Sequence, residues 1–184
     1  MSMAPHASPL SLTAHLQSAK PPWTVLCVLK AGQRAEASVK IPAGFTRRVI
    51  RGAKCRSATG LFAEMAEALE FPDYFGHNWD ALEECLADLE WLPGKGYVLL
   101  FTNAELILPD DEEEFATLLE VLSDAGEAWA SGQAGQQATR ATPFHVLLTV
   151  SERDKSKLLH RGLSQLSATT ATRSSGKQRS PRHT

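Results

Sequence analysis

Residues 72–86, PDYFGHNWDALEECL, set a proline, an aromatic pair, a glycine and an asparagine ahead of a run with helical spacing. Asn78 is a favoured helix-capping residue. Beyond it Trp79, Leu82, Leu86 and Leu89 recur at intervals of three, four and three, which marks one buried helix face, with Cys85 at its border. With Trp79 at zero and about 100° per residue, the leucines fall between about −20° and −80°. Asp80, Glu83, Ala87 and Glu84 fall between about 40° and 140°, a neighbouring side that faces outward. Three carboxylates therefore surround a small alanine. Like charges at this spacing cost a few tenths of a kcal/mol per pair, and Asp80 recovers part of that from the helix N-terminus. Neither these three residues nor Asp88 has a basic residue three or four positions away. The loop ahead of the helix offers Tyr74, Phe75 and His77 beside Gly76 as exposed aromatic contact area, and Ala87 leaves room for close approach.

Outward from this stretch, RSATGLFAEMAEALEF (56–71) reads as a helix with Thr59 at its N-cap and Pro72 beyond its end. YVLLF (97–101) and FHVLLTV (144–150) are continuous apolar runs, as expected of strands covered by helices on at least one face. Between them, 110–130 reads as a long helix with an acidic start and a stripe of Phe115, Leu118, Leu119 and Leu122. FTRRVI (45–50) is a short strand. WTVLCVLK (23–30) and RAEASVKI (34–41), separated by AGQ, read as a β-hairpin. Residues 1–22, rich in Pro, Ser and Ala, are expected to be poorly ordered, as is the chain beyond about residue 166. Strands joined through helices usually run parallel. His145, at the start of its strand, reads as a structural histidine.

The chain has 184 residues, 43% of them hydrophobic, enough for one ordinary core with extensions. Its net charge of −2 averages two opposed regions. Residues 151–184 carry eight Lys/Arg against Glu152 and Asp154, a net +6, whereas residues 57–130 carry 18 acidic residues and one base, Lys95, a net −17. Such a surface attracts a cationic partner and repels nucleic acid. Cys27, Cys55 and Cys85 form no CxxC or Cys/His ligand pattern, so reduced thiols are expected. No charged lead precedes an apolar run at the N-terminus and no stretch approaches membrane-spanning length, so the expected location is cytoplasmic, without membrane contact.

The central stretch resembles the signature of the barstar family, intracellular inhibitors of secreted barnase-type ribonucleases. The pattern carried is Pro, aromatic pair, Gly, a free position, Asn, an apolar residue, Asp-Ala-Leu, two variable positions and Cys, here 72–85. VIRGAKCRSATGLFAEMAEALEF (49–71), YVLLF, ATLLEVLSDAGEAW and HVLLTV extend the resemblance over roughly residues 46–150. It implies an α/β, two-layer fold: a small three-stranded parallel sheet packed by helices, here with the 23–45 hairpin adding edge strands and a basic tail from 151. It also implies a function, plugging a ribonuclease active site in a one-to-one complex, by a protein that is a monomer when free. Tyr74, Phe75, Gly76, Asn78, Trp79, Asp80, Glu83, Glu84 and Ala87 would lie on the inhibitory surface, with Asp124 contributing from the later helix. No cofactor, catalytic residue or metal ligand is implied. In the family an aspartate stands at the position of Glu84, where it takes the place of a substrate phosphate, and a tryptophan stands at the position of Glu83.

Two other classes of function compete. Asp80 and Glu84, one turn apart, could form a general acid/base pair, but such pairs need a cleft that splits their pKa values, and no cleft is indicated. His77 has no Cys or second His beside it for a metal. An acidic module that binds a different basic partner, a non-ribonuclease toxin or a nucleic-acid-binding protein, remains as the alternative reading.

Overall fold

The apolar runs noted above are buried along almost their whole length, so both faces of their sheet must be covered. The computed structural model describes residues 12–135, 140–161 and the backbone of 168–170. Strands β1 (Thr24–Leu29), β2 (Thr46–Arg51), β3 (Tyr97–Thr102), β4 (Phe144–Ser151) and a three-residue β5 (Ala168–Thr170) lie in the order β2-β3-β4-β1-β5. Every pairing is parallel.

This is a mixed α/β fold, but the three-stranded sheet expected from the sequence is too small. β2, β3 and β4 are joined by a fourth full strand, β1, which pairs with β4 from Thr24↔Val146 to Leu29↔Ser151. The hairpin expected over 23–45 does not form. Residues Ala35–Ser38 make a one-turn helix, α2, instead of a returning strand. The physical reason is that β1 is an interior strand, with β4 on one side and β5 on the other, so neither edge is free for an antiparallel neighbour.

Helices cover both faces. On one, α3 (Ala58–Leu69), α4 (Trp79–Asp88) and α5 (Glu112–Ser131) pack Leu61, Met65, Leu82, Leu86, Phe115 and Leu122 against Leu26, Ile50, Leu99, Phe101, Val146 and Leu148. On the other, Leu16 from α1 (Leu12–Leu16), Ala35 and Val39 close over Val25, Cys27, Val98, Leu100 and Leu147. The expected disorder of 1–22 is thereby corrected for residues 12–22: Leu16 is fully buried, an anchor of roughly 1.5–3 kcal/mol. Residues 1–11 lie outside the described residues. Gly126, in the middle of α5, admits the Trp23 ring, because a Cβ there would sit 2.5 Å from Trp23 Cγ.

The start of the basic tail is also built in. Residues Lys155–Leu159 form α6, with Leu158 fully buried. Arg161 donates to the Ile107 and Leu108 carbonyls at 2.7 and 2.6 Å and to the Glu112 carboxylate at 3.0 Å. Its guanidinium stands 3.6 Å over the Phe115 ring. Beyond residue 166, where disorder was expected, 168–170 pair with β1, and the rest of that expectation falls outside the described residues. α3 starts at Ser57, not Thr59: the Ser57 hydroxyl accepts the Gly60 N–H at 3.2 Å. It ends at Glu70 in a left-handed conformation, two residues before Pro72.

The N-terminal segment is tied to the sheet through a histidine. His145 is fully buried, its Nε2–H donates to the Ser18 carbonyl at 2.7 Å, and its ring lies 4.7 Å from that of His15. Nδ1 makes no hydrogen bond among the described residues, and desolvation of the ring outweighs the help that the Ser18 and Pro22 carbonyls would give a charged imidazole. Burial accordingly holds His145 below the ordinary imidazole value of 6.5. The folded chain therefore resists a proton that the unfolded chain accepts. This contribution is complete above 6.5 and is lost as pH falls below it. Urea unfolding followed from about pH 7 downward is expected to show a falling midpoint in the wild type and a shallower fall in His145→Gln. Parallel pH profiles for the two would refute the linkage.

Candidate functional site

The loop 72–78 is shaped by one inward and one outward aromatic. The Phe75 N–H donates to the Pro72 carbonyl at 2.9 Å, a tight turn. Phe75 is buried among Phe71, Phe62 and His77, at centroid distances of 4.8, 6.4 and 4.7 Å. It does not offer exposed contact area, contrary to the sequence expectation, because Phe62 on α3 and Phe71 just beyond its end pack over it. With Phe75 turned in, Tyr74 points out and is 73% exposed, far more than any other large apolar side chain described. His77 is exposed and adopts a left-handed backbone at φ +51°, which lets the chain swing into the helix. Gly76 precedes it, and a Cβ there would meet Asn78 Nδ2 at 3.1 Å.

Asn78 caps α4 as expected. Its Oδ1 accepts the Ala81 N–H at 2.8 Å and its Nδ2 reaches back to the Gly76 carbonyl at 3.4 Å. Trp79 is half-buried, edge-on to Phe62 at 5.1 Å, and its indole N–H donates to Glu114 Oε2 at 2.7 Å. The first turns of α4 and α5 are thus pinned together. At the other end the Trp129 indole N–H donates to the Leu86 carbonyl at 2.7 Å. Trp79 is therefore committed largely to the fold.

Asp80, Glu83 and Glu84 are all exposed, and among the described residues none forms an ion pair or a side-chain hydrogen bond. Ala87 is half-buried, with its carbonyl accepting the Gly135 N–H at 2.7 Å. Partial desolvation, then the charges of Cys85, Asp88, Glu90 and Glu84, push the Tyr74 phenol above the ordinary value. Asp88 and Glu90 are thus within electrostatic reach of Tyr74, although the sequence reading did not name them for the site. The signal was available for Asp88, since a residue one turn past Glu84 falls beside it on the helix wheel. Asp124 is exposed on α5, without an interaction that ties it to the α4 carboxylates among the described residues. Cys85 is buried, and burial together with Asp88 and Glu84 raises its thiol pKa, so it is no nucleophile.

The contrast with α3 defines the site. Glu64, 1% exposed, accepts the Arg51 backbone N–H at 2.9 Å and its guanidinium at 2.6 and 2.8 Å. Burial alone would raise this carboxyl, but the Arg51 bonds hold it below the ordinary value. Glu67 pairs with Arg51 at 2.7 Å and Lys54 at 3.2 Å, and Glu70 pairs with Arg48 at 2.9 Å. The acidity of 57–130 is therefore neutralised on α3 by cations from β2 and the turn after it, and left open on α4. Among the described residues no group of three or more His, Cys, Asp and Glu could hold a metal ion, and no helix is long and apolar enough to cross a membrane.

A family model described as Barstar (barnase inhibitor) matches residues 45–149. A comparison with curated proteins finds no match. Among solved structures the chain is similar to the Aeropyrum pernix ORC2 protein in its ADP form, at 14% identity and a TM-score of 0.55, over 87% of this chain and 45% of that one. It is also similar to that protein in its ADPNP–ADP complexes, at 13% identity and a TM-score of 0.54, over 87% and 43%. At such identities the likeness is one of fold alone, and this chain spans less than half the length of those structures.

Urea unfolding separates the cap from the charge patch. Asn78→Ala is expected to cost about 1 kcal/mol. Glu84→Ala, which relieves repulsion from Asp80 and Asp88 one turn to either side, is expected to be neutral or stabilising by a few tenths of a kcal/mol. A marked loss of stability in Glu84→Ala would show that the carboxylate supports the fold.

Proposed function

The chain belongs to the Barstar family, and we propose that it inhibits a basic, secreted-type ribonuclease by covering the enzyme's active site with the loop and helix of residues 74–88. The observation that carries this reading is the exposure of Asp80, Glu83 and Glu84 beside Tyr74, with no ion pair among the described residues. Ribonucleases hold a phosphodiester with cationic side chains. Carboxylates at phosphate-like spacing on a rigid, capped helix offer those cations an alternative partner already in place, and pre-organisation reduces the entropy lost on binding.

In this reading Asp80 and Glu84 occupy phosphate positions and Tyr74 packs beside them. Asp88 extends the negative field toward the Tyr74 hydroxyl, and Asp124 contributes at the rim. Inhibition is steric and electrostatic, so the chain itself needs no cofactor and performs no chemistry. The complex is one-to-one, the free protein is a monomer, and it acts in the cytoplasm of the cell that makes the enzyme, as an immunity protein. Exposed carboxylates also steer the encounter, because attraction between opposite surfaces acts over a Debye length of about 10 Å at 0.1 M salt.

One feature favours a second target class. Glu83 and Glu84 replace the family's aromatic residue and shorter aspartate, which makes the surface more acidic and less aromatic. A more strongly cationic partner with a wider site, including a basic toxin of different chemistry or a nucleic-acid-binding protein, suits that change. Competition distinguishes the two, since a mononucleotide displaces an active-site inhibitor but not a partner bound elsewhere.

In a ribonuclease inhibition assay, Asp80→Ala/Glu84→Ala is expected to lose about 2–5 kcal/mol of binding, a magnitude taken over from measured interfacial charge pairs, the barnase–barstar complex among them. Glu67→Ala, which removes a carboxylate already paired with Arg51 and Lys54, is expected to inhibit like the wild type. Equal inhibition by all three proteins would refute the assignment of the site.

A further inference from the structure

The order β2-β3-β4-β1-β5 contains a switch in direction. From β1 the chain passes through α2, whose Ala35 lies in the cluster on one face of the sheet. From the adjacent β4 it passes through α6, whose Leu158 lies in the cluster on the opposite face. Neighbouring parallel strands whose connections depart to opposite faces leave a crevice beyond their carboxyl ends, the usual ligand position in open α/β sheets.

A crevice of about 590 Å³ lies at that place, between the loops that follow β1, β3 and β4. Its volume suits a small organic molecule. Lys30 and Arg34 of the β1 loop and Arg153 of the β4 loop line it, and none forms an ion pair or side-chain hydrogen bond among the described residues. Glu36, Glu152 and the Asn103 amide line the same space, and their side chains are equally unengaged. The loops themselves are held: the Glu152 N–H donates to the Leu29 carbonyl at 3.2 Å, and the Lys30 N–H to Gln33 Oε1 at 2.8 Å. Three cations from two fixed loops, left unneutralised with two carboxylates close by, do not stabilise the fold. They are arranged for an anion that also carries hydrogen-bond donors.

We propose that this crevice binds a small hydroxylated organic phosphate, with Lys30, Arg34 and Arg153 on the phosphate and Glu36, Glu152 and Asn103 on the hydroxyls. The carboxylates select against bare inorganic anions, which repel them and supply few donors. Most of the crevice is built from residues 29–36 and 150–153, outside the family-matched 45–149, and it shares no residue with the Tyr74–Asp88 surface. The site belongs to this chain's own additions to the family fold, and its ligand is independent of the inhibited partner.

Titration calorimetry on the full chain, with ribose 5-phosphate, ribose and inorganic phosphate as probes, tests the assignment. Ribose 5-phosphate is expected to bind at least tenfold more tightly than either of its halves. Lys30→Ala/Arg34→Ala/Arg153→Ala is expected to weaken it at least tenfold, with an unchanged urea midpoint, since Lys30, Arg34 and Arg153 are exposed. Glu36→Gln/Glu152→Gln is expected to narrow the preference for ribose 5-phosphate over phosphate. Glu84→Ala is expected to bind like the wild type, which keeps this test separate from that of the inhibitory surface. Absence of binding by ribose 5-phosphate up to millimolar concentration, or equal binding by wild type and the triple variant, overturns the proposal.

Discussion

The two-sided apolarity of β3 and β4 is the constraint from which the rest follows. Val98 and Leu100 face one way, Leu99 and Phe101 the other, and all are buried. One helical layer leaves half of these side chains in water, at a cost of roughly 1.5–3 kcal/mol each. The α3–α4–α5 layer covers one face. The other is covered by the segment from Leu12 to Ile41, which precedes the family-matched residues. β1 belongs to both arrangements: it extends the sheet beside β4, with Leu26 and Val28 facing one layer and Val25 and Cys27 the other. Because β1 is interior, its loop meets the β4 loop at the switch point, so the extension that completes the core also creates the crevice.

With the core closed, the charges sort themselves by whether the fold uses them. Arg51 reaches from the end of β2 to Glu64 and Glu67 and fastens α3 to the sheet. Arg161 fastens α6 to the first turn of α5 through Glu112. α4 is held by other means, the Asn78 cap, Trp79 on Glu114 and the leucine stripe, none of which consumes its outer carboxylates. A helix anchored without ion pairs of its own can present an acidic side at little cost to stability. The proposed recognition of a cationic surface rests on this separation of anchoring from presentation.

The sequence made α4 legible almost to the residue, because cap, period and charge all agree over 78–89. The strands at 97–101 and 144–150 were equally readable as apolar runs, and 45–50 as a short strand. What failed was non-local. RAEASVKI alternates like a strand, yet Ala35 and Val39 are placed by the far side of the sheet, which no local pattern encodes. Leu16 stands in a stretch of weak composition, and only the uncovered face of β3 and β4 gives it a reason to be buried. Phe75 read as exposed because its partners come from another helix, Phe62, and from the chain just past that helix, Phe71. Ser57 and Thr59 were both capping residues by chemistry, and backbone geometry chose between them. In the candidate site, Asp80, Glu83 and Glu84 stand on the outward side that the helical wheel gave them. The partner of Trp79 and the charges that act on Tyr74 required the fold.

Whether the open charge of α4 is held for another molecule's cations, as proposed, is read by the association rate. In stopped-flow mixing with a basic ribonuclease that the chain inhibits, the wild-type rate is expected to fall steeply with increasing salt. The rate for Asp80→Ala/Glu84→Ala should start lower and fall less. A wild-type rate insensitive to ionic strength, or the same salt dependence in both proteins, would contradict the proposal.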